Sequence, residues 1–321
     1  MTVAAIDCGT NSIRLLIADP DGSGGLIERE RRLEIVRLGQ GIDATGQFHP
    51  DALRRTFEAV ETYAAVIAAH DVGTADLHFV ATSASRDARN RDEFFAGVQA
   101  RLGVAPDVIS GATEAQLSFV GALSQLPYGP QHYPDPILVV DVGGGSTELV
   151  VGRADGTIVH AVSLDMGSVR ITERFLTQSP PGLHQITAAM QYVDGLLGSA
   201  GIDLGAVRTW VGVAGTATTL AAVHLNLTSY DRTQVHGAVI DTRSLHRLLD
   251  RLGALSAEQI RRFPSMHPGR ADVITGGAVI ADRIGRRVGT DQWLISESDI
   301  LDGIALALLR AQEHRSGRLS A

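Results

Sequence analysis

The sequence predicts an α/β protein built from two similar lobes, and three observations carry that expectation. A strand–turn–strand motif with a glycine-bearing tip occurs twice: Ile6-Asp7-Cys8-Gly9-Thr10-Asn11-Ser12 returns as Val140-Asp141-Val142-Gly143-Gly144-Gly145-Ser146, matching at Asp, Gly and Ser. Short apolar runs alternate with segments of helical period. Between the two copies lies a break, Pro127 to Pro136, with four prolines and Gly129. At roughly 100–200 residues per domain, 321 residues accommodate two lobes. The expected bounds are 1–126 for the first, 127–134 for a linker and 135–300 for the second. The final helix, about 301–321, is expected to pack back on the first lobe.

In chain order, Val3 to Ile6 and Ile13 to Ala18 are apolar runs flanking the first glycine tip, so they read as a hairpin. Asp19-Pro20-Asp21-Gly22 then turns the chain into a third strand. From Pro50 to about Asp71, Leu53, Phe57, Val60 and Ile67 fall on one helical face, with proline in the first turn. Leu77 to Thr82 reads as a strand, Glu93 to Leu102 as a helix, Asp107 to Ile109 as a short strand and Glu114 to Leu126 as a helix. After the second copy, which like the first closes on Asp-Gly (Asp21-Gly22, Asp155-Gly156), a third glycine loop, Gly212 to Ala217, follows the strand-like Trp210-Val211 and precedes a helix through Leu225. A helix from about Asp302 to Gln312 ends the pattern.

Composition narrows the chemistry. Apolar residues make up 44% and charged residues 20%, enough to form a packed core. All 28 Lys-plus-Arg residues are arginine, which excludes the Walker-type phosphate loop, the kinase strand lysine and Schiff-base chemistry. A net charge of −8 argues against a binder of nucleic-acid polymers. The single Cys8 supports neither an internal disulfide nor a cysteine metal cluster. No run of about 18 apolar residues occurs, so no membrane span is expected. The opening MTVAAIDCG lacks a basic leader, and the expected location is cytoplasmic.

The two tips suit phosphate. Small residues let backbone N–H groups converge on an anion, and Gly9, Thr10, Asn11 and Ser12, like Gly143, Gly144, Gly145 and Ser146, add hydroxyl or amide donors. Two such loops facing each other would grip a phosphate from both sides. Asp7 and Asp141 end the strands feeding the loops, where carboxylates suit Mg²⁺ held with waters and substrate phosphates. Cys8 and Arg14 also spell Cys-x5-Arg, a cysteine-phosphatase spacing. A strand-like run follows the tip where that mechanism needs a helix, so Cys8 reads as a small buried strand residue. Water activated by a carboxylate is then the simplest nucleophile, with Glu114 and Glu148 as candidate bases. Taken alone, Glu114 reads first as a first-turn carboxylate favoured by the helix dipole, and Glu148 reads equally as a strand residue facing solvent. Ser83 and the guanidinium fork of Arg86 could bind a second phosphate. His236 and His267 show no metal spacing and read as structural.

At IDCGTNSIRLLIA, ATSASRDARN, VISGATEAQLSF, VVDVGGGSTELV, GVAGTATTLAA and MHPGRADVITGGAVI, in that order along nearly the whole chain, the sequence resembles the exopolyphosphatase/guanosine pentaphosphate phosphohydrolase family. The resemblance implies two ribonuclease-H-like lobes of the actin-like ATPase superfold, a site in the cleft between them and Mg²⁺-dependent hydrolysis of a terminal phosphoanhydride. Carried over by position, it implies Glu114 as the carboxylate activating water, Glu148 as a second acidic site residue, and Asp141 with Asp7 near the metal. Gly9 to Ser12 and Gly143 to Ser146 would hold terminal phosphates, while Arg86 and Gly215-Thr216 would contact phosphates further along. A homodimer is also implied. Longer family members continue into a helical His-Asp-type region, so a chain ending at Ala321 is expected to favour short polyphosphates.

The leading expectation is an exopolyphosphatase acting on inorganic polyphosphate. A guanosine pentaphosphate 5′-phosphohydrolase needs the same centre with a base-binding slot, which 5% aromatic content does not identify. A non-catalytic sensor of polyphosphate or guanosine tetraphosphate would need neither glutamate. An actin-like sugar or acetate kinase is the remaining alternative.

Overall fold

In the computed structural model, which describes residues 2–22, 24–127 and 129–319 and leaves the side chains of Asp43, Ser83, Asp87 and 313–319 outside the description, the apolar runs flanking Gly9 form the expected hairpin. β1 (Val3–Cys8) pairs antiparallel with β2 (Ser12–Pro20), which pairs antiparallel with β3 (Leu26–Ile35). The short α1 (Ile42–Thr45) leads to α2 (Pro50–Ala69). Pro50 opens α2 without losing a hydrogen bond, and the His49 ring accepts from the Asp51 N–H as its cap. Leu53, Val60 and Ile67 are buried on the predicted face, while Phe57 is half-buried.

β4 (Leu77–Ala81) runs parallel to β1, and β5 (Asp107–Val108) parallel to β4. Between them lie α3 (Ser83–Asp87) and α4 (Arg91–Leu102). α5 (Gly111–Ser124) starts three residues before the expected position, so Glu114 sits inside its first turn.

The second motif repeats this plan. β6 (Ile137–Val142), β7 (Thr147–Gly152) and β8 (Ile158–Leu164) form an antiparallel meander. α6 (Ser168–Phe175) and α7 (Leu183–Ser199) follow, then β9 (Thr209–Val213), parallel to β6. The third glycine segment is not a loop. β9 extends through Val213, and α8 (Ala214–His224) begins at once, with Ala214 taking a positive φ of 60° to make the corner. α9 (Arg232–Val235), β10 (Val239–Asp241), α10 (Thr242–Gly253), α11 (Ala257–Arg261), α12 (Ile274–Gly285) and β11 (Gln292–Ile295) complete this part. α13 (Ile300–Leu319) ends the chain.

The chain divides into two units, 1–124 with 299–321 and 125–298, and the proline-rich break falls inside the second. Their sheets have the orders β3-β2-β1-β4-β5 and β10-β11-β9-β6-β7-β8. Removing β10 leaves the same order in both, three antiparallel strands followed by two parallel ones, so the sequence repeat is a structural repeat.

In the first unit one sheet face packs on α2 and α4 through residues such as Tyr63, Phe79 and Phe94, and the other packs on α13 through Ile300, Leu301 and Ile304. Gly121 and Gly303 let α5 and the start of α13 touch backbone to backbone: a Cβ on Gly303 would lie 2.1 Å from Leu117 O, and one on Gly121 1.8 Å from the Asp299 carbonyl that precedes α13. In the second unit Trp210 and Trp293 stand opposite each other on β9 and β11 and stack with centroids 4.9 Å apart.

Candidate active site

Each glycine tip is shaped by what takes its carbonyls. In the first unit Gly9 N–H donates to Ser12 O at 2.9 Å, closing the turn. Arg37 and Gly39 N–H groups donate to the Asn11 and Thr10 carbonyls, both at 2.9 Å. In the second unit Gly143 N–H closes the same turn on Ser146 O at 3.0 Å. The start of α6 then takes the carbonyls: Ser168 N–H reaches Gly143 O at 2.8 Å, Val169 N–H reaches Gly144 O at 2.9 Å, and Arg170 Nε reaches Gly145 O at 2.8 Å. Gly167 is required for this approach, because a Cβ there would lie 2.1 Å from Gly144 O. With the carbonyls engaged on one side, the peptide planes turn their N–H groups the other way. Among the described residues those of Gly144, Gly145 and Ser146 have no hydrogen-bond partner. Amides turned to one side in this way can hold the oxygens of an anion.

The strand ends beneath the tips differ in charge. In the first unit Asp7 stands opposite Arg14. Arg14 donates through Nη2 and Nε to Asp7 Oδ2, at 2.6 and 3.2 Å, and through Nη1 to the Asp299 carboxylate. Burial nevertheless pushes the Asp7 carboxyl above its ordinary range, outweighing Arg14. Asp299 is buried as well, but Arg14 and Arg31 together hold it below that range. Asp7 Oδ1 is buried with no hydrogen-bond partner.

In the second unit Asp141 stands opposite Glu148, both almost fully buried, and Ser163 Oγ donates to Glu148 Oε1 at 2.7 Å. Glu148 therefore does not face solvent. Two carboxylates on one face of a ladder suit a hard divalent cation. Among the described residues no three of His, Cys, Asp and Glu converge to hold a metal by themselves. A cation here would take one or two carboxylates and complete its shell with water and substrate oxygens.

Glu114 is 8% exposed, and Arg86 Nη1 donates to its Oε2 at 3.0 Å and to Ile109 O at 2.9 Å. The structure thus joins two residues that were separate in sequence reasoning, and gives the Arg86 fork a carboxylate partner before any phosphate. The Ser83 side chain lies outside the described residues. Gly215 and Thr216 are in the first turn of α8, and the Thr216 hydroxyl donates to Val142 O at 2.8 Å, tying α8 to the end of β6. Cys8 is buried, and burial raises its thiol well above the ordinary range, so no thiolate is available. His236 bridges Gln125 O and Glu297 N–H, a structural role.

Sequence reasoning missed three residues around these elements. Arg270 donates to Gly215 O at 3.2 Å and Thr219 Oγ1 at 2.8 Å, holding the start of α8. Arg170 secures the second tip, and Asp299 pairs with Arg14. Only Asp299 had a readable signal, an Asp immediately before an apolar helical run, and its Oδ1 does cap Leu301 N–H.

Comparison with known proteins gives consistent matches. The Ppx/GppA phosphatase family profile matches residues 19–311. Exopolyphosphatase 2 of Mycobacterium tuberculosis is 46% identical over 320 residues, covering 95% of this chain and 98% of that protein. The crystal structure of an exopolyphosphatase-like protein superposes with a TM-score of 0.91 at 42% identity, covering 97% of this chain and 100% of the other. An Aquifex aeolicus Ppx/GppA family structure superposes at 0.80 with 30% identity, covering 97% and 98%.

Proposed function

The chain belongs to the Ppx/GppA phosphatase family and carries the actin-like ATPase fold, and from that premise we propose that it is an exopolyphosphatase, releasing terminal phosphate from inorganic polyphosphate. The observation that carries the reading is the 46% identity to a named exopolyphosphatase across almost the full length of both proteins. Phosphoanhydride hydrolysis needs positioning and charge neutralisation more than covalent chemistry, and the amides of the second tip offer the first.

In this reading the tips Gly9 to Ser12 and Gly143 to Ser146 each accept phosphate oxygens. Glu114 takes the proton of a water attacking the terminal phosphorus; the anhydride bond breaks, and the chain departs one phosphate shorter. Arg86 holds Glu114 in place. Gly215 and Thr216, at the positive end of α8, accept phosphates further along the chain. Asp141, with Glu148 across the ladder, is the proposed Mg²⁺ carboxylate. Mg²⁺ bound there would supply charge neutralisation on the phosphate oxygens.

The test is phosphate release by the purified protein with Mg²⁺, comparing polyphosphates of defined length with guanosine pentaphosphate. Glu114→Ala serves as the blank. Release from polyphosphate is expected; release from the nucleotide alone would replace this reading with guanosine pentaphosphate hydrolysis, and binding without release would leave a sensor.

A further inference from the structure

The 125–298 unit holds a cavity whose lining shares no residue with the glycine tip. Between the C-terminal end of α8 and the outer side of α10 lies a cavity of about 160 Å³ lined by Val223, His224, Ser244, Arg247, Leu248 and Arg251. We propose that this cavity binds a phosphate group. The inference is independent of the proposed activity.

Charge is the first argument. The half-buried arginines Arg14, Arg31, Arg86 and Arg283 each pair with a carboxylate. The exposed Arg247 and Arg251 do not. Among the described residues neither has a carboxylate within ion-pair distance; Arg247 Nη2 donates to Ser244 Oγ at 2.9 Å, and the Arg251 guanidinium lies 4.6 Å from the centre of the Phe263 ring. One helical turn apart on α10, the two like charges repel, and an oxyanion between them removes that penalty. Their planar forks match the oxygens of a phosphate group. His224 adds a third nitrogen donor, and the Phe263 stack orients one fork in advance.

Two features oppose an anion. Asp241 is the nearby carboxylate, and Arg247 and His224 both interact with its charge, but its oxygens are turned to α10 as a cap, accepting from Ser244 N–H at 2.8 Å and Ser244 Oγ at 2.7 Å. The C-terminal end of α8 carries partial negative charge, yet its last carbonyls are occupied. Leu225, Leu227 and Asn226 N–H groups bond Ala221, Ala222 and Val223 O, and Asn226 Nδ2 bonds His224 O.

Size sets the ligand class. Sites for drug-sized molecules occupy about 300–1,000 Å³, so a cavity of about 160 Å³ takes one phosphate group rather than a nucleotide. That group has two sources, free inorganic phosphate or one unit of a polyphosphate chain.

The experiment is equilibrium dialysis in chelator, so that no turnover occurs, with inorganic phosphate and tripolyphosphate as separate probes. Wild type is compared with the R247Q/R251Q double variant, whose glutamines keep the alkyl stems and whose exposed positions spare the fold. The variant is expected to lose one binding equivalent per chain, with affinity there falling at least tenfold. Loss for phosphate with tripolyphosphate unaffected assigns the free anion; loss for tripolyphosphate assigns the chain. Unchanged affinity and stoichiometry for both probes would overturn the site.

Discussion

Asp141 and Glu148 occupy the same ladder position in the second unit that Asp7 and Arg14 occupy in the first. One slot of a repeated hairpin thus holds an ion pair in one copy and two buried carboxylates in the other. Asp141→Asn should therefore raise the Mg²⁺ concentration giving half-maximal phosphate release by about tenfold or more. An unchanged metal titration would move the ion away from this ladder.

The Arg86–Glu114 pair makes a sharper test than either residue alone. Removing a general base costs about 10²–10⁴ in rate, so Glu114→Gln should depress kcat by that order while leaving substrate binding intact. If Arg86 acts only by holding Glu114, adding Arg86→Gln to Glu114→Gln should cost nothing further in kcat. A further rise in KM in the double variant would instead return Arg86 to direct phosphate contact.

The repeat was legible because Asp, Gly and Ser recur at fixed spacing, and the two sheets share one strand order once β10 is set aside. The limits of sequence reading lie in contacts between distant segments. Arg14 and Asp299 are 285 positions apart, and no periodicity links them. Glu148 read equally as a candidate base or a solvent-facing strand residue because strand alternation says nothing about which face is covered, and here it is 1% exposed. Gly212 to Ala217 read as a loop because glycine and small residues punctuate most chains. Here Gly212 instead makes room for the Trp293 ring, which a Cβ would approach to 2.2 Å, and the backbone turns at Ala214.

Cys8 offers a direct check on the water mechanism. Its thiol is buried and its titration is pushed up, so the neutral form persists through the alkaline range where an exposed cysteine ionises. Iodoacetamide at pH 8 should leave folded protein unmodified while labelling it in denaturant, and Cys8→Ala should retain turnover within about twofold, as expected of a small buried side chain. Loss of activity with retained folding would revive the thiolate.

Acid stability should report the Asp194 cluster. Arg283 donates to both Asp194 oxygens, at 2.8 and 2.7 Å, and Arg287 Nη1 bonds Oδ1 at 2.5 Å, tying α12 and the residues after it to α7. Burial opposes the charged form, but these bonds prevail and hold the carboxyl below its usual range. A depressed folded-state value means the stabilisation is fully present above the unfolded value of about 3.9 and is lost as pH falls through the folded one. With the side chains a fifth to a third exposed, the contribution is about 1–2 kcal/mol after solvent screening. Denaturant titrations should show Asp194→Asn less stable than wild type by a constant amount above about pH 5, with the gap narrowing below about pH 4. A gap that stays constant through the acid range would show that the carboxylate's charge contributes nothing and that only its shape matters.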